Sequence, residues 1–591
     1  MILSSFDIFD TTLIRWCGKP ENVFVLLAKR LFPHDRIKQN DFILWRNYIT
    51  QTFKGEYNIS DIYHITNGNS LFGFSSEELI KAEECLEAEL LIVNEEIKRK
   101  IMECRKAGHK IAFISDMYLS CVFLRDILIK EGVFEEGDGL YVSNDRKARK
   151  DTGELYDIVQ KDYSPQKWFH YGDNKYSDHI IAQKKGIKSV LINIDYNEVE
   201  TKLQGLSSLM KNPLELSILS GISRVGRRKF GNTNDTLIAS NFVAATYIPY
   251  ILSVLKDAKS KGLKTLYFVS RDGYILHEIA KCLPHDNIIL KYLFVSRKSL
   301  HSPFFYVATD EELKESNLRR EQSKEVYKED YELCYGYLLQ EGLFDDYIGL
   351  VDVGWRGTSR LMINSIRRAN GKGQLMSYYL GQGLRMLPNR FGKYDVFDYT
   401  MNTNGWKTLV LEEYYSASPW PTTIGYQKRK GIFTPIFPDS EKYKEDDIVS
   451  VNKNVCCWMA SIIGLLDLHQ ESLYFWMTST QKILFEDGFY VDWGKLYEKY
   501  KEKEFCIERF SIKETINYIR AQYVSFRVNC DVSLDLTYGY KIRKRINKLR
   551  YIYLLIRKYK YSVLYRLTHI VAVVIIILKC DMVTLLSQNI C

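Results

Sequence analysis

Four polar clusters in the chain each come at the end of an apolar stretch of the kind that forms a buried β-strand. Their chemistry-bearing side chains are, in chain order, Asp7, Ser115, Lys150 and the pair Asp173 and Asp178. Because the carboxyl ends of parallel strands meet at one edge of a sheet, we expect these side chains to converge in one crevice. Three carboxylates offer the oxygen ligands that Mg²⁺ prefers, and a hydroxyl and an ammonium group can hold phosphate oxygens. The sequence therefore predicts a magnesium-dependent site for phosphoryl transfer.

The elements that would position these residues alternate between strands and helices. Strands are predicted at residues 1–6, 110–114, 140–143, 168–171 and 189–192. Residues 14 to about 108 are mostly helix-compatible, and Ser75–Glu78 is a serine cap signal before apolar residues at helical spacing. This alternation predicts an α/β fold with a parallel sheet and a helical insertion.

The order of the four motifs resembles the haloacid dehalogenase (HAD) superfamily at all four of its signature positions. The resemblance implies a Rossmann-like parallel sheet over residues 1–205, a helical cap at about 14–108, and Mg²⁺ as the cofactor. It makes Asp7 the nucleophile that attacks phosphorus, and Ser115 the residue that hydrogen-bonds the transferring group. Lys150 would neutralise the charges of the nucleophile and of the phosphate. It further implies that Asp173 binds Mg²⁺ directly and that Asp178 belongs to the metal site by holding the groups around the ion.

The nucleophile loop departs from the superfamily's phosphatases at position 9. Most of these carry a second Asp two residues after the nucleophile, which protonates the leaving group and activates water, whereas this chain has Phe9. The Phe9 carbonyl oxygen is still expected to ligate Mg²⁺, but lost acid–base assistance typically costs about 10²- to 10⁴-fold in rate. A phosphatase is therefore expected, and two alternatives stay open: a transferase or scaffold that binds phosphate with slow or no turnover, and a dehalogenase, since the superfamily's dehalogenases also carry an aromatic residue here.

Polar residues next to the motifs are expected to contact the substrate, a small phosphorylated molecule. They are Asp10, Thr11, Asp116 and Asn174. Asp10 is one residue beyond the position of the missing acid and points to the other side of an extended segment. It can replace that acid only if the chain turns sharply there.

A second α/β domain is predicted at 236–430, after a basic, glycine-punctuated linker at 206–235. Its predicted strands, at 265–269, 291–295 and 347–351, each precede an arginine-bearing segment. The glycine-rich segment after the third strand fits either a strand-to-helix turn or an anion site, and the three arginines favour an anionic ligand. The candidate residues are Arg271, Asp272, Arg297, Asp352, Gly354, Arg356, Gly357 and Thr358.

The layout up to about residue 430 resembles large bacterial members of the same superfamily. These carry an N-terminal hydrolase-like domain before segments like SRDGYIL and VDxGWxGT, which occur here at 270–276 and 351–358. They are often associated with surface-polysaccharide assembly. The resemblance thus implies a phosphorylated sugar or nucleotide-sugar substrate.

The composition is that of a globular protein with about three domains. Of the 591 residues, 46% are hydrophobic and 26% charged, which excludes a disordered chain and a polytopic membrane protein. Twelve cysteines without a CxxC pair predict reduced thiols in the cytoplasm. The 42 Tyr and 29 Phe are interpreted as core residues, and no nucleic-acid partner is expected.

The C-terminal part is predicted to be mostly helical at 431–540, followed by a basic and apolar tail at 541–591. The tail carries eleven Lys or Arg between Lys541 and Lys579 and no acidic residue there, against a net charge of +9 for the whole chain. Its nine-residue apolar run, Ile570–Leu578, is too short to span a bilayer as a helix, which needs about 20 residues. The tail fits either a buried strand or helix, or a peripheral anchor at the inner face of the membrane.

Overall fold

A computed structural model describes the chain over residues 1–66, 72–206, 213–316, 318–355, 357–383, 395–396, 401–403, 415–416, 418–439, 443–444 and 447–487. The predicted tail at 541–591, most of the helical region expected at 431–540, and Arg356 lie outside these residues. The described residues all belong to one unit, Met1–Tyr490.

The strands, numbered in chain order, are β1 Ile2–Phe6, β2 Leu13–Arg15, β3 Leu91–Val93, β4 Lys110–Ser115, β5 Gly139–Val142, β6 Lys167–Gly172, β7 Lys188–Leu191, β8 Thr265–Val269, β9 Ile289–Leu293, β10 Ile348–Trp355, β11 Met376–Gly383, β12 Asp395–Val396, β13 Met401–Thr403, β14 Gly425–Arg429 and β15 Ile432–Ile436.

The α-helices up to the end of the first sheet are Asn22–Leu31, Arg36–Thr52, Ile59–Tyr63, Ser76–Leu90, Glu95–Lys106, Cys121–Lys130, Ser143–Arg146, Glu154–Tyr163 and Ala182–Lys184. Those that follow are Glu198–Leu206, Pro213–Lys229, Asn234–Ile238, Ala244–Ser260, Gly273–Cys282, Arg297–Val307, Asp310–Ser316, Lys328–Glu341, Thr358–Ala369, Asp447–Ile463 and Gln470–Asp487. Two segments, Lys175–Ile181 and Ala239–Val243, are π-helical, and two, His64–Thr66 and Lys324–Tyr327, are 3₁₀-helical.

The first sheet has five parallel strands in the order β5-β4-β1-β6-β7. Strand β1 is buried along Leu3–Phe6, on both faces, as expected for the central strand of a parallel sheet. The chain forms β4 and β5 on one side of β1 and then β6 and β7 on the other. The strand order therefore reverses between β1 and β6, which is where open α/β sheets bind ligands. The prediction of an α/β fold with a parallel, Rossmann-like sheet is confirmed.

The insertion between β1 and β4 is helical, but it ends earlier than predicted. Strands β2 and β3 pair antiparallel and close it at Val93, and the side chain of Asn94 then caps the helix Glu95–Lys106. That helix packs on β4 and leads directly into it. The expected boundary near 108 is therefore wrong, because helical spacing alone does not distinguish an inserted helix from one that flanks the sheet.

The second sheet is also parallel, with the order β12-β11-β10-β8-β9 and with β13 paired to β11. Here the chain passes from β8 to β9 on one side and returns to β10 on the other. A second reversal of strand order thus lies between β8 and β10, and a separate crevice opens at their carboxyl ends.

The linker predicted at 206–235 is wrong for residues 213–229. Pro213–Lys229 is a helix, and every residue from Glu215 to Arg228 is buried. It lies against the loop after β2, since a Cβ on Gly221 would be 2.6 Å from the Trp16 carbonyl oxygen. Its arginines are not solvated, and Arg227 forms an ion pair with the buried Glu200 at 3.0 Å. The glycines and basic residues that suggested a flexible connection instead serve close packing.

Among the described residues, one helical stretch, Asn234–Ser260, is long and apolar enough to cross a membrane, with 27 residues and a mean hydropathy of 1.5. Its apolar window is 89% buried inside the protein. This is the pattern of a helix that belongs to a protein core, and the Gln470–Asp487 helix packs against it.

The contact between the 213–229 helix and the loop after β2 predicts the effect of adding one methyl group. We expect Gly221→Ala to lower the free energy of unfolding by roughly 1–3 kcal/mol, since the new Cβ overlaps backbone atoms that cannot move independently. Gly205→Ala is the matched control, because a Cβ at this helical glycine meets nothing within 4 Å. Thermal denaturation of both variants checks the prediction, and equal midpoints would contradict it.

Candidate functional site

Asp7 is held rigidly at the carboxyl end of β1. Its backbone N–H donates to the Tyr171 carbonyl of β6 at 2.8 Å, and its Oδ1 accepts the Ile8 N–H at 2.8 Å. The Thr12 hydroxyl closes the loop by donating to the Asp7 carbonyl at 2.6 Å. Within this loop Asp10 has φ +51, so the chain does turn sharply there.

Three carboxylates meet in the crevice between β1 and β6. Those of Asp7, Asp173 and Asp178 each place an oxygen within 4.8 Å of the others, and among the described residues this is the one group of this kind. Gly172 permits the approach, because a Cβ there would lie 2.5 Å from an Asp178 oxygen. The backbone N–H of Asn174 donates to Asp178 Oδ2 at 3.1 Å, which fixes the orientation of the Asp178 carboxylate.

Lys150 joins two of these carboxylates. Its Nζ lies 2.8 Å from Asp7 Oδ1 and 2.7 Å from Asp178 Oδ1, and the residue is only 3% exposed. Its backbone N–H donates to both oxygens of Asp116, at 2.9 and 3.1 Å. The side chain is therefore oriented from its backbone as well as from its charged end.

The electrostatics favour a cation among the three acids. Burial raises the pKa of Asp7, which the Lys150 ammonium partly offsets, and burial with Asp10 and Asp178 raises the pKa of Asp173 to about 6. Although burial opposes it, Lys150 holds the pKa of Asp178 well below its usual range. When all three are ionised, three negative charges face one ammonium group. A divalent cation would neutralise the remainder, and all-oxygen donors suit Mg²⁺.

The predicted catalytic and substrate-contacting residues lie at this crevice, and several of them contact other residues of the site. Ser115 ends β4 and is buried, at 2% exposure. The Thr11 hydroxyl donates to Asp173 Oδ1 at 3.1 Å, and the Asn174 side chain caps the following helical turn. Asp116 accepts from the Lys150 backbone N–H, so the side chains of Thr11, Asp116 and Asn174 each have a partner within the protein, and their contact with a substrate stays a prediction.

Phe9 connects the loop after β1 to the insertion. The Arg15 guanidinium lies over its ring at 4.3 Å from the centroid. Arg15 is in turn paired with Glu87 of the Ser76–Leu90 helix at 2.8 Å. Ligation of a metal by the Phe9 carbonyl stays a prediction.

Sequence reasoning missed three residues that complete the site. His170 Nε2 lies 3.3 Å from Asp178 Oδ1, and the Tyr156 hydroxyl donates to the same oxygen at 3.4 Å. Arg224, from the 213–229 helix, places Nη2 3.8 Å from Asp10 Oδ1. Strand alternation could have found His170, which shares a face with Gly172, whereas nothing local indicates Arg224.

The second crevice contains four charged residues of the other predicted cluster, Arg271, Asp272, Arg297 and Asp352. Burial, and after it the neighbouring Asp272, raises the pKa of Asp352 to about 7, while Arg297 acts in the opposite direction. Burial also raises the pKa of Asp272, and Arg271 and Arg297 only partly offset that effect. These four side chains therefore lie together at the carboxyl ends of β8, β9 and β10. Close by, Gly354 and Gly357 have positive φ, and the helix Thr358–Ala369 follows.

No protein-family model matches the chain, and no curated protein is significantly similar to it in sequence.

Metal binding at the first crevice predicts a thermal shift. Mg²⁺ should raise the unfolding temperature of the wild type, since a ligand present at a hundred times its Kd stabilises the fold by about 2.7 kcal/mol. Asp173→Asn should abolish the shift, and the exposed control Asp157→Asn should keep it. The shift should be smaller at pH 5 than at pH 7.5, because Asp173, with a pKa of about 6, must be ionised to bind. A full shift in Asp173→Asn would show that the metal binds elsewhere.

The raised pKa of Asp352 predicts a pH-dependent stability. Its pKa is about 7 in the folded state and near 3.8 when unfolded, so the wild type loses stability as the pH rises from 4 to 7. Asp352→Asn lacks this charge and should therefore gain stability relative to the wild type over that interval, with the full gain above pH 7. Denaturant titrations at pH 4.5 and pH 8 measure the difference. A gain independent of pH would contradict the prediction.

Proposed function

We propose that the crevice between β1 and β6 is the active site of a Mg²⁺-dependent hydrolase of the HAD type, which removes a phosphoryl group from a small phosphorylated molecule. A sugar intermediate of surface-polysaccharide assembly is the proposed substrate class. The observation that supports this most is the buried cluster of Asp7, Lys150, Asp173 and Asp178 at the reversal of strand order. The proposed location is the cytoplasm.

Asp7 is the nucleophile in this proposal. Both of its contacts, to the Ile8 N–H and to Lys150, use Oδ1, which leaves Oδ2 to attack phosphorus. The new Oδ2–P bond forms as the bond from phosphorus to the leaving oxygen breaks. Water then cleaves the acyl phosphate, which releases inorganic phosphate and regenerates the carboxylate.

Ser115 and Lys150 hold the transferring group. The Lys150 ammonium has three N–H donors, and Asp7 and Asp178 account for two, so the third can reach a phosphate oxygen. The buried Ser115 hydroxyl offers another donor. Mg²⁺, held by Asp7 and Asp173 and supported by Asp178, would neutralise the charge of the phosphate oxygens.

Asp10 is the acid–base group of the proposal, in place of the missing second Asp. The positive φ at Asp10 provides the sharp turn that this role requires. Its carboxylate contributes to the raised pKa of Asp173, so it lies on the side of the metal centre. Asp10 would donate a proton to the leaving oxygen and accept one from the attacking water.

The insertion between β2 and β3 acts as a cap. It is joined to the nucleophile loop at both ends, and it also contacts the loop after β4, where the Tyr118 hydroxyl donates to the buried Glu83 at 2.7 Å. The Ile59 N–H donates to the Tyr118 carbonyl at 2.9 Å. A change in the cap is thus transmitted directly to the segment after Ser115.

A second candidate function is a transferase of polysaccharide assembly in which the first crevice binds phosphate without turning it over. The observation in its favour is the second crevice, where Asp272 and Asp352 lie beside two arginines. An acid that is partly protonated at neutral pH, next to cationic side chains, is suited to general acid–base chemistry on an anionic ligand.

Replacement of the nucleophile tests the proposal. We expect the wild type to release phosphate from sugar phosphates with Mg²⁺, and Asp7→Asn to lose activity by more than about 10³-fold. Asp10→Asn should lose about 10²-fold, as for a proton-transfer group. Asp157→Asn, on the exposed surface, serves as the matched control.

Phosphate release by Asp7→Asn at the wild-type rate would show that Asp7 is not the nucleophile. Absence of turnover in the wild type, with inorganic phosphate still bound in the presence of Mg²⁺, would instead favour the transferase or scaffold.

A further inference from the structure

Arg224 brings a cationic side chain to the edge of the first crevice from a helix outside the four motifs. The residue is 5% exposed, and its Nη2 donates to the Arg15 carbonyl at 3.3 Å. The same nitrogen lies 3.8 Å from Asp10 Oδ1, and the Asp10 side chain is 30% exposed. Arg224 is therefore next to the residue that would protonate the leaving oxygen, and next to an opening to solvent.

Two donors at this position have no partner among the residues that the structure describes. Arg224 Nε and the Tyr196 hydroxyl are both buried and make no hydrogen bond within the described part of the chain. They belong together, because the Arg224 guanidinium lies 4.5 Å from the centroid of the Tyr196 ring. Buried polar groups are nearly always hydrogen-bonded in folded proteins, so two adjacent exceptions point to a ligand that supplies the acceptors.

The charges around Arg224 favour an anion as that ligand. Its neighbour Arg227 is satisfied by Glu200, with hydrogen bonds of 3.1 and 3.0 Å. Arg228, by contrast, donates to the Asn193 carbonyl at 2.6 Å, and burial followed by the two other arginines lowers its pKa to about 10. Within the described residues, the three arginines thus have one carboxylate at hydrogen-bond distance, that of Glu200, and a second, that of Asp10, 3.8 Å from Arg224. The planar guanidinium matches carboxylate and phosphate oxygens.

We propose that Arg224 and Tyr196 form a subsite for an anionic group on the leaving part of the substrate. The preferred substrates are then phosphate esters whose alcohol carries a carboxylate or a second phosphate. The proposal rests on the proposed hydrolase site, because Asp7 and Asp10 define which side of the substrate leaves.

Three probes that differ at one carbon test the subsite on the full chain with Mg²⁺. Glucose 1-phosphate, glucuronic acid 1-phosphate and glucose 1,6-bisphosphate carry a hydroxyl, a carboxylate and a phosphate at the sixth carbon. Their binding to Asp7→Asn is measured by calorimetry, which needs no turnover, and kcat/KM is measured in the wild-type background. We expect at least one of the two probes with an acidic sixth carbon to bind about tenfold or more tightly than glucose 1-phosphate, and to show a correspondingly higher kcat/KM. The favoured acid identifies the group that the subsite binds.

Matched variants, each also made in the Asp7→Asn background, assign the preference to the subsite. Arg224→Gln should reduce the ratio of acidic to neutral binding to near one, Tyr196→Phe should reduce it about threefold, and the exposed control Arg30→Gln should leave it unchanged. If Arg224→Gln fails to fold, Tyr196→Phe decides, because that hydroxyl has no partner to lose within the described residues.

Equal binding of the three probes, or a preference that survives both variants, would overturn the subsite. Binding of inorganic phosphate, which lacks a leaving group, reports on the Asp7 site alone. Absence of hydrolysis by the wild type, with the binding preference intact, would reject the proposed function and retain the subsite.

Discussion

The rest of the first site depends on the ammonium group of Lys150 between the carboxylates of Asp7 and Asp178. All three residues are less than 10% exposed, and carboxylates so buried stay ionised only when a cation compensates them. The three residues come from distant parts of the chain, after β1, before the Glu154–Tyr163 helix and after β6. One ammonium group therefore sets the charge of the crevice and also links, through two ion pairs, the three segments that form it.

Each of these three residues has a support of its own. Asp116 holds the Lys150 backbone, while His170, Tyr156 and the Asn174 amide surround Asp178. Asp7 is fixed between the Tyr171 carbonyl and its own loop. The carboxylates are thus held in place by contacts with the protein, within reach of one another. In the proposed reaction, such preorganisation would avoid the cost of rearranging charged groups.

The residues of the site could be predicted because buried parallel strands appear in the sequence as continuous apolar runs. The polar residue that ends such a run must lie at the sheet edge, which holds for Asp7, Ser115 and Asp173. The roles of Asp116 and Asn174 could not be predicted, since a carboxylate or an amide next to a motif can face either a ligand or a backbone N–H group. The 213–229 helix was mistaken for a linker because its burial depends on Gly18 and Trp16, some 200 residues earlier in the chain.

That same separation determines when the site can be completed during synthesis. The loop at Trp16–Gly18 leaves the ribosome long before Gly221 and Arg224, and at 5–20 residues per second a gap of roughly 200 residues corresponds to about 10–40 s. Strands β4 to β7 are made during this interval, so the first sheet can form before the wall that carries Arg224 exists. The first crevice therefore matures late, close to the time at which the second sheet begins to be made.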